Sequence, residues 1–412
     1  MDPNQRKSAA RALRGLARRA EVVAFARAAK ARGMAAWIVG GALRDRLLGM
    51  PAAEVDVAVS GDAEALAAGL DRAGLGRAVF LSRHRPGPRV FRIAGKRPLD
   101  VAELEGGSIE ADLRRRDFTA NALALALGSG EILDPFGGLE DIRRGRLRLV
   151  RSENLAEDPL RILRAARFFA ALGLVPDPAV LAAARGAAGL FGRAAPERVA
   201  VELSKLLASP RAEPALSWSA RAGILPSVLG RAISGPRAAR LARSLAVLDD
   251  AAARRMPPER RRRLRLGLLA VRLRLSPSEA REWLQERRWA REETRDAGLL
   301  CGLVASARHV RSRREAWGWL LEAGHLAQDA AALLARLGPP ERRRARSLRA
   351  LMRAPRRTVA VNGGDLQRWL GLGAGPRIGE LLRAVRLAAA MGEVSNRRQA
   401  RDWLTGQVRP GL

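Results

Sequence analysis

The sequence has a single cysteine, Cys301, and only three histidines among its 412 residues. So few cysteine and histidine side chains exclude a disulfide framework and a structural zinc site. A divalent metal would therefore be bound by carboxylates, whose oxygen atoms suit Mg²⁺ or Mn²⁺. With no disulfides to form, a cytoplasmic location is the expected one.

Long apolar segments are also absent. No run reaches the roughly 18–20 residues needed to span a bilayer, so no membrane partner is expected. The opening stretch, MDPNQRKSAARALRGLARRA, lacks the apolar core of a secretory signal. We interpret it as a first surface helix, although an Arg-rich amphipathic start is also typical of a transit peptide.

Acidic residues are scarce relative to basic ones. The chain has 42 acidic and 75 basic residues and a formal net charge of +33. Nearly all the basic residues are arginine and tyrosine is absent, a bias that a GC-rich genome would also produce. That bias does not explain why the acids did not rise in step. The excess therefore favours a polyanionic partner, nucleic acid before membrane.

The sequence patterns divide the chain into a mixed part and a helical part. A helix predicted over about 5–32 is followed by alternating strand and helix patterns up to about residue 138. Beyond residue 150, apolar residues recur at spacings of three and four, and strand signals almost vanish. The predicted fold class is α+β, with a small mixed sheet and helices in the head and an all-α remainder. We expect boundaries that give these segments: 1–33, 34–145, 146–210, 211–350 and 351–412.

The segment VGGALRDRLLG (39–49) places two glycines between a predicted strand and a predicted helix. Backbone N–H groups at Gly40 and Gly41 can approach a phosphate there, with a helix N-terminus behind them. Arg44 can add a charge-assisted contact. A tight turn alone would also explain the Gly-Gly pair.

Two acids, Glu54 and Asp56, follow on the next predicted strand, EVDVAVS. Residues two apart on a strand point the same way, so the pair is costly unless a cation lies between them. Asp100 lies on a further predicted strand, RPLDVAEL. Three such carboxylates can hold two Mg²⁺ ions, one activating a 3′-hydroxyl and one binding a triphosphate. The alternative for each acid alone is a solvated edge strand.

Two further clusters carry polar groups that can recognise a ligand. DLRRRDFTANALAL (112–125) sets three arginines, an acid and Asn121 ahead of what we predict to be an apolar helix, an arrangement suited to ribose hydroxyls. AEDPLRILRAARFF (156–169) places Asp158 and Arg161 three apart on one helix face, where they can meet a base edge. Helix capping explains Glu157 and Asp158 equally well, but not Arg161.

Taken in order, these segments resemble the motifs of the class II tRNA nucleotidyltransferases, the bacterial CCA-adding enzymes and their poly(A) polymerase relatives. VGGALRDRLLG with EVDVAVSG is similar to motif A, RRDFTANALA to motif B, DPFGGLEDIRRGRLR to motif C, EDPLR to motif D and PERVAVELSKLL to motif E. The tail segment VNGGDLQRWLGLGAGPRIGELLRAV also resembles the closing region of many members. The resemblance is strong from about 34 to 210 and weaker beyond.

The resemblance implies a template-independent enzyme that adds C or A to the tRNA 3′ end from CTP or ATP. It implies a catalytic head followed by neck, body and tail, with the helices of the last three binding the acceptor arm. It also implies a role for each motif residue. These are metal binding by Glu54 and Asp56, triphosphate contact by Arg164, ribose contact by Arg116, Asp117 and Asn121, and base reading by Glu157, Asp158 and Arg161.

Two departures from the family pattern bear on function. Glu54 stands where the family usually has Asp, which keeps the charge and adds a methylene, so we expect activity to be retained. The segment VAELEGGSIEA (101–111) is short where full CCA-adding members carry a longer flexible loop. We expect strong C addition and weak A addition, with a separate A-adding enzyme acting on the same tRNA. The alternatives are a poly(A) polymerase, an inactive RNA-binding relative and a basic DNA-binding protein.

Overall fold

The computed structural model describes residues 3–52, 54–81, 88–354 and 358–407. They form two compact units, Met1–Arg243 and Ser244–Leu412. The first unit combines a sheet with helices and the second is helical, which is the predicted α+β class. The finer division into five segments stays a prediction.

A seven-stranded sheet forms the centre of the first unit, with strand order β3-β4-β5-β2-β1-β6-β7. The β2–β5 pair is parallel and the other neighbours are antiparallel. The strands of this sheet are β1 Ala36–Val39, β2 Val55–Val59, β3 Arg77–Phe80, β4 Val90–Ala94, β5 Leu99–Glu103, β6 Ala124–Ala126 and β7 Ile132–Leu133.

The pairing of three central strands brings their polar ends to one edge of the sheet. Antiparallel β1 ends where β2 begins, with Val39 opposite Asp56. Parallel β5 begins beside β2, with Asp100 opposite Asp56. The rest of β2, from Val57 to Val59, is buried. The sheet edge therefore presents Asp56 and Asp100 beside the Gly40 turn that follows β1.

The structure corrects three of the predicted elements. The apolar stretch after Asn121 is strand β6, paired with β1 and β7, and not a helix. A run this short cannot be assigned to helix or strand by periodicity alone. The single N-terminal helix is two helices, separated at residues 18–19. A two-stranded sheet, β8 Arg146–Leu147 with β9 Val175–Pro176, extends into the region predicted to be all helical.

Helices of the first unit surround the sheet and then continue beyond it. They are α1 Pro3–Ala17, α2 Ala20–Lys30, α3 Gly41–Leu47, α4 Ala63–Arg72, α5 Ile109–Arg114, α6 Gly138–Arg143, α7 Glu153–Glu157, α8 Leu160–Leu172, α9 Pro178–Ala187, α10 Pro196–Ala208, α11 Ala212–Arg221, α12 Leu225–Leu229 and α13 Gly235–Arg243.

The described part of the second unit is built from helices. They are α14 Ala251–Arg254, α15 Pro258–Arg272, α16 Pro277–Gln285, α17 Arg291–Ser306, α18 Arg313–Ala323, α19 Ala327–Leu337, α20 Pro339–Arg353, α21 Gly363–Leu370, α22 Pro376–Met391 and α23 Arg397–Gln407. No helix in the described ranges is long and apolar enough to cross a membrane.

Helix α6 is fixed to the polar segment 117–121 by a buried carboxylate. Asp141 is fully buried and accepts a hydrogen bond from Thr119 Oγ1 at 2.6 Å. It also pairs with Arg146 at 2.9 Å and Arg148 at 2.8 Å. At Gly138 a Cβ would lie 2.1 Å from the Thr119 carbonyl oxygen, so the backbones approach closely. The motif C segment therefore holds the 117–121 segment in place.

Replacing Asp141 by Ala should lower the free energy of unfolding by about 3–5 kcal/mol, because two guanidinium groups and a hydroxyl lose their buried partner. The urea-unfolding midpoint followed by circular dichroism measures this. Its sequence neighbour Glu140 is the matched control, since it is only partly buried and its partners Arg143 and Arg144 are exposed. Glu140→Ala should leave the midpoint nearly unchanged, and equal losses in both variants would contradict the role given to Asp141.

Candidate active site

A cleft of about 540 Å³ lies within the first unit, at the polar edge of the sheet. It brings together most of the residues predicted from the sequence, with Asp100 and Glu157 not among its described lining residues. The lining is Gly40, Gly41, Arg44, Glu54, Asp56, Arg115, Arg116, Asp117, Asn121, Asp158, Arg161, Arg164, Arg167, Phe168, Arg198 and Lys205.

The acidic side of the cleft is formed by Asp56 and Glu54. The Glu54 side chain is 58% exposed. Asp56 lies at the floor of the cleft, still reached by solvent, and the surrounding protein raises its pKa to about 6. Loss of hydration is the main cause; Arg116 opposes it, and the carboxylates of Asp100 and Glu54 add to it. Loss of hydration therefore disfavours the ionised form of Asp56 more than Arg116 favours it.

Arg92, on β4, forms a salt bridge with Asp100, the third acid predicted from the sequence. Its guanidinium donates to both carboxylate oxygens of Asp100 at 2.8 Å and lies 3.4 Å from Glu54 Oε1. This bidentate pair turns Asp100 toward β4. The described residues form no group of three or more side chains suited to hold a metal. The three-carboxylate arrangement is thus not formed, and a catalytic role for Asp100 stays a prediction.

The Glu54–Asp56 pair nevertheless fits a divalent cation. Its donor atoms are carboxylate oxygens, both side chains are open to solvent, and a cation would stabilise the ionised form of Asp56 that loss of hydration disfavours. Mg²⁺ is commonly bound by one or two carboxylates together with substrate phosphates and water. Two acids beside a phosphate site satisfy that pattern.

Asp117 is the centre of a buried hydrogen-bond network on the opposite side. Its Oδ1 accepts from the Phe118 N–H and from Asn121 Nδ2, each at 2.8 Å, and its Oδ2 accepts from Arg164 Nε at 2.8 Å. Asn121 Oδ1 in turn accepts from Arg44 at 2.5 Å. Burial alone would raise the pKa of Asp117, but Arg164 and these hydrogen bonds hold it below its usual value. The network fixes two arginines and an amide in one geometry.

Three arginines are arranged around the ring of buried Phe168. The guanidinium carbons of Arg167, Arg44 and Arg164 lie 4.2, 4.8 and 5.4 Å from the ring centroid. Glu202, on α10, pairs with Arg167 at 2.5 Å and with Arg164 at 3.4 Å. Burial lowers the pKa of Arg167, with the neighbouring positive charges opposing its pairing with Glu202. Such clustered cations are suited to a triphosphate.

Arg116 lies between the glycine turn and the acidic pair. Gly40 has φ +74°, and a Cβ there would lie 2.6 Å from the Arg116 guanidinium. Buried Asp112 holds Arg116 at 2.8 Å. Asn154 on α7 donates to the carbonyl oxygens of Arg114 and Arg116 at 3.1 and 2.7 Å, which links this segment to the helices that follow.

Asp158 and Arg161 face the cleft together, each with a protein partner. Arg198 on α10 pairs with Asp158 at 2.7 Å, and Arg161 donates to the Asn154 carbonyl oxygen at 3.0 Å. Glu157 is 54% exposed and lies 3.9 Å from Arg161. Arg198 therefore fixes the orientation of the Asp158 carboxylate, and Glu157 lies outside the described lining.

Sequence reasoning did not select five of the lining residues: Arg115, Arg167, Phe168, Arg198 and Lys205. Arg164 and Arg167 are three apart on α8, and Arg198 and Lys205 are seven apart on α10. Both spacings place basic residues on one helix face. This spacing could have indicated a basic face on each helix, but it does not predict which pocket that face lines.

An acidic pair and a group of fixed arginines across one cleft can bind a divalent cation together with a nucleotide phosphate. Two family models match the chain, the poly A polymerase head domain over residues 36–148 and the putative tRNA nucleotidyltransferase domain 2 over residues 268–402. The first covers the sheet and its acids.

Similar proteins support the same assignment. The CCA-adding enzyme of Geobacillus stearothermophilus is 33% identical over 394 residues, 90% of this chain and 92% of that protein. A CC-adding tRNA nucleotidyltransferase of Geobacter sulfurreducens is 39% identical over 199 residues, 48% of this chain and 46% of that protein, about half of each. The crystal structure of the Bacillus stearothermophilus CCA-adding enzyme in complex with CTP is also similar. The match covers 94% of this chain and 96% of that chain, with a TM-score of 0.70 and 31% sequence identity. The chain belongs to the tRNA nucleotidyltransferase family that includes the CCA-adding enzymes, which confirms the predicted resemblance.

Asp56→Asn should raise the thermal unfolding midpoint at pH 8 in the presence of a chelator. Because folding raises the pKa of Asp56 from 3.8 to about 6, its ionisation lowers stability as pH rises through that interval, and the loss persists above it. A pKa change of this size corresponds to about 3 kcal/mol. Solvent in the open cleft should reduce this to about 1 kcal/mol, or about 2–4 °C.

Differential scanning calorimetry across pH 4 to 8 checks this expectation. The difference between Asp56→Asn and the unsubstituted protein should shrink toward pH 4, where the carboxyl is protonated in the folded protein and close to its pKa of 3.8 in the unfolded chain. A variant less stable at pH 8 would show that the Asp56 carboxylate is not strained by its surroundings.

Proposed function

We propose that this protein adds C to the 3′ end of tRNA, and adds A weakly, in a template-independent reaction. The observation that carries the proposal is the single cleft in which the Glu54–Asp56 pair faces the arginines around Phe168. The 3′-hydroxyl oxygen of the RNA attacks the α-phosphorus of CTP or ATP. The bond to the bridging oxygen breaks, pyrophosphate leaves and the hydroxyl proton is released.

Glu54 and Asp56 would hold Mg²⁺ in this reaction, and Asp100 would act beside them through its pair with Arg92. The cation would supply Lewis acidity toward the attacking hydroxyl and charge neutralisation for the triphosphate. Glu54 lies just before β2. Its side chain is one methylene longer than that of Asp, which would let its carboxylate reach the cation from there. Asp56 provides the fixed carboxylate of the pair.

The triphosphate would be bound by Arg44, Arg164 and Arg167, with the N–H groups of Gly40 and Gly41 nearby. Phe168 contacts all three guanidinium groups, and each of them has a polar partner before the nucleotide arrives, so little side-chain entropy is lost on binding. Charge that develops on the leaving pyrophosphate then meets cations already in position.

Ribose and base recognition follow from the remaining lining residues. Arg116 and Asn121 would reach the sugar, and Asp117 would act chiefly by orienting Asn121. Asp158 and Arg161 would read the Watson–Crick edge, with Arg198 holding the Asp158 carboxylate. Glu157 would contribute through Arg161, its nearest cation at 3.9 Å.

The preference for C is supported by the compact connection between Asp100 and the 112–121 segment. Strand β5 ends at Glu103, a single 3₁₀ turn spans Glu105–Gly107, and Ser108 caps α5 through a hydrogen bond from the Ala111 N–H at 3.1 Å. The connection has no long loop that could move when the pocket changes from C to A. A separate enzyme would then add the terminal A.

Supplying tRNAs that lack CCA, end in C or end in CC, with CTP or ATP singly and Mg²⁺, tests the reaction directly. We expect efficient extension of the first two with CTP and an efficiency at least about tenfold lower for ATP on the CC end, a discrimination of about 1.4 kcal/mol. Product lengths on a sequencing gel provide the measurement. Robust A addition would reject the CC-adding proposal, and long A tails would favour a poly(A) polymerase.

Substitutions of the acidic pair test the site assignment. Asp56→Ala and Glu54→Ala should lower the rate of C addition by about 10²- to 10³-fold, as loss of a transition-state electrostatic partner does. Glu54→Asp should retain most of the activity. The matched control is Glu64→Ala, which removes an exposed acid from α4. Intact addition by both alanine variants of the pair would place the reaction elsewhere.

Acid pH should weaken Mg²⁺ binding at the site and so raise the Mg²⁺ concentration that activity requires. Because protons compete with the cation for Asp56, the Mg²⁺ concentration for half-maximal activity should rise about tenfold per pH unit below about 6. Initial rates at several Mg²⁺ concentrations between pH 5 and 8 measure it. A Mg²⁺ requirement independent of pH would argue against Asp56 as a ligand.

A further inference from the structure

A second cleft, of about 450 Å³, lies wholly within the helical second unit. It is bordered by the α14–α15 region and by α19 and α20. Four arginines share it, Arg260, Arg336, Arg349 and Arg353. The other lining is apolar except for Gln328, and none of the described lining residues is acidic.

Two of these arginines are held rigidly by partners behind the cleft. Arg260 Nε donates to the buried carboxylate of Asp329 at 2.7 Å. Arg336 donates to the Val247 carbonyl oxygen at 2.8 Å and to Asp250 at 3.0 Å. Asp329 also pairs with Arg263 at 2.8 Å, so its single charge is shared between two guanidinium groups.

The other two arginines lie one turn apart on α20 and lack such neutralisation. Arg349 has one weak contact, to the Ala331 carbonyl oxygen at 3.4 Å, and within the described residues Arg353 has no ion-pair partner. Burial lowers the pKa of Arg349, and the positive charges of Arg336, Arg353 and Arg260 lower it further. An anion in the cleft would relieve that repulsion.

We propose that this cleft binds a backbone phosphate of RNA, apart from the nucleotide site of the first unit. Guanidinium groups bind phosphate oxygens bidentately, and two pre-anchored arginines reduce the entropy lost on binding. The described lining has no aromatic side chain on which a base could stack, so the contact reads backbone charge and not sequence. That the RNA is tRNA rests on the proposed function.

The test is tRNA binding by the double variant R349Q/R353Q at several salt concentrations. Loss of this one phosphate contact in the double variant should reduce the slope of log affinity against log salt by about 0.7–0.9. R349K/R353K, which keeps the charge, should retain most of it. R272Q/R291Q removes the same charge from exposed positions on α15 and α17 outside this cleft and should leave the slope unchanged.

The outcomes separate this inference from the proposed function. If the unsubstituted protein extends tRNA while R349Q/R353Q binds it with an unchanged slope, the phosphate site is wrong and the function stands. If no tRNA is extended but the slope for an unrelated duplex RNA falls in R349Q/R353Q and not in R272Q/R291Q, the RNA site stands and the function is wrong.

Two further results would also overturn the RNA site. Equal losses in R349Q/R353Q and R272Q/R291Q would indicate diffuse charge attraction. Stabilisation by CTP or inorganic pyrophosphate that disappears in R349Q/R353Q, with RNA binding unaffected, would indicate a small-anion site. The unfolding midpoint verifies that each variant is folded, and the single variants R349Q and R353Q replace the double variant if it unfolds early.

Discussion

The hydrogen bonds accepted by the Asp117 carboxylate are the interaction on which the cleft depends. One oxygen accepts a hydrogen bond from Asn121 and the other accepts one from Arg164. Asn121 in turn accepts a hydrogen bond from Arg44, so the position of Arg44 is also fixed. Helix α3, the 117–121 segment and helix α8 are thereby fixed to one another without any ligand. The carboxylate itself is buried and saturated, so its contribution is to geometry, and the groups it orients are the ones that a nucleotide can touch.

Charge is separated across the cleft. The sheet edge carries Glu54 and Asp56, and the helices α3, α8 and α10 carry Lys205 and all the lining arginines except Arg115 and Arg116, which follow α5. Arg92 neutralises Asp100 from within the sheet, whereas burial raises the pKa of Asp56 to about 6. The protein thus keeps one carboxylate in an unfavourable environment, which a cation could relieve, while its neighbours are paired. The ionised carboxylate at that position lowers stability when no cation is bound.

The sequence predicted the ends of elements better than the partners of side chains. The Gly-Gly turn, the EVD strand and the EDPLR helix start are local patterns, and all three lie at the cleft as expected. Strand β6 was predicted as helix because its apolar run is short and its pairing with β1 is non-local. The pairing of Arg198 with Asp158 spans 40 residues, and that of Arg92 with Asp100 depends on strand register. No spacing rule predicts either.

The buried Asp141 limits where this chain could recombine with that of a homologue. Its partners Thr119, Arg146 and Arg148 come from before and after α6, so the sheet's polar segment and the last residues of the head share one carboxylate. The poly A polymerase head model also ends at residue 148. Recombination with a homologue would therefore separate this carboxylate from a partner if the junction fell between Thr119 and Arg148. That segment is expected to be inherited as one piece.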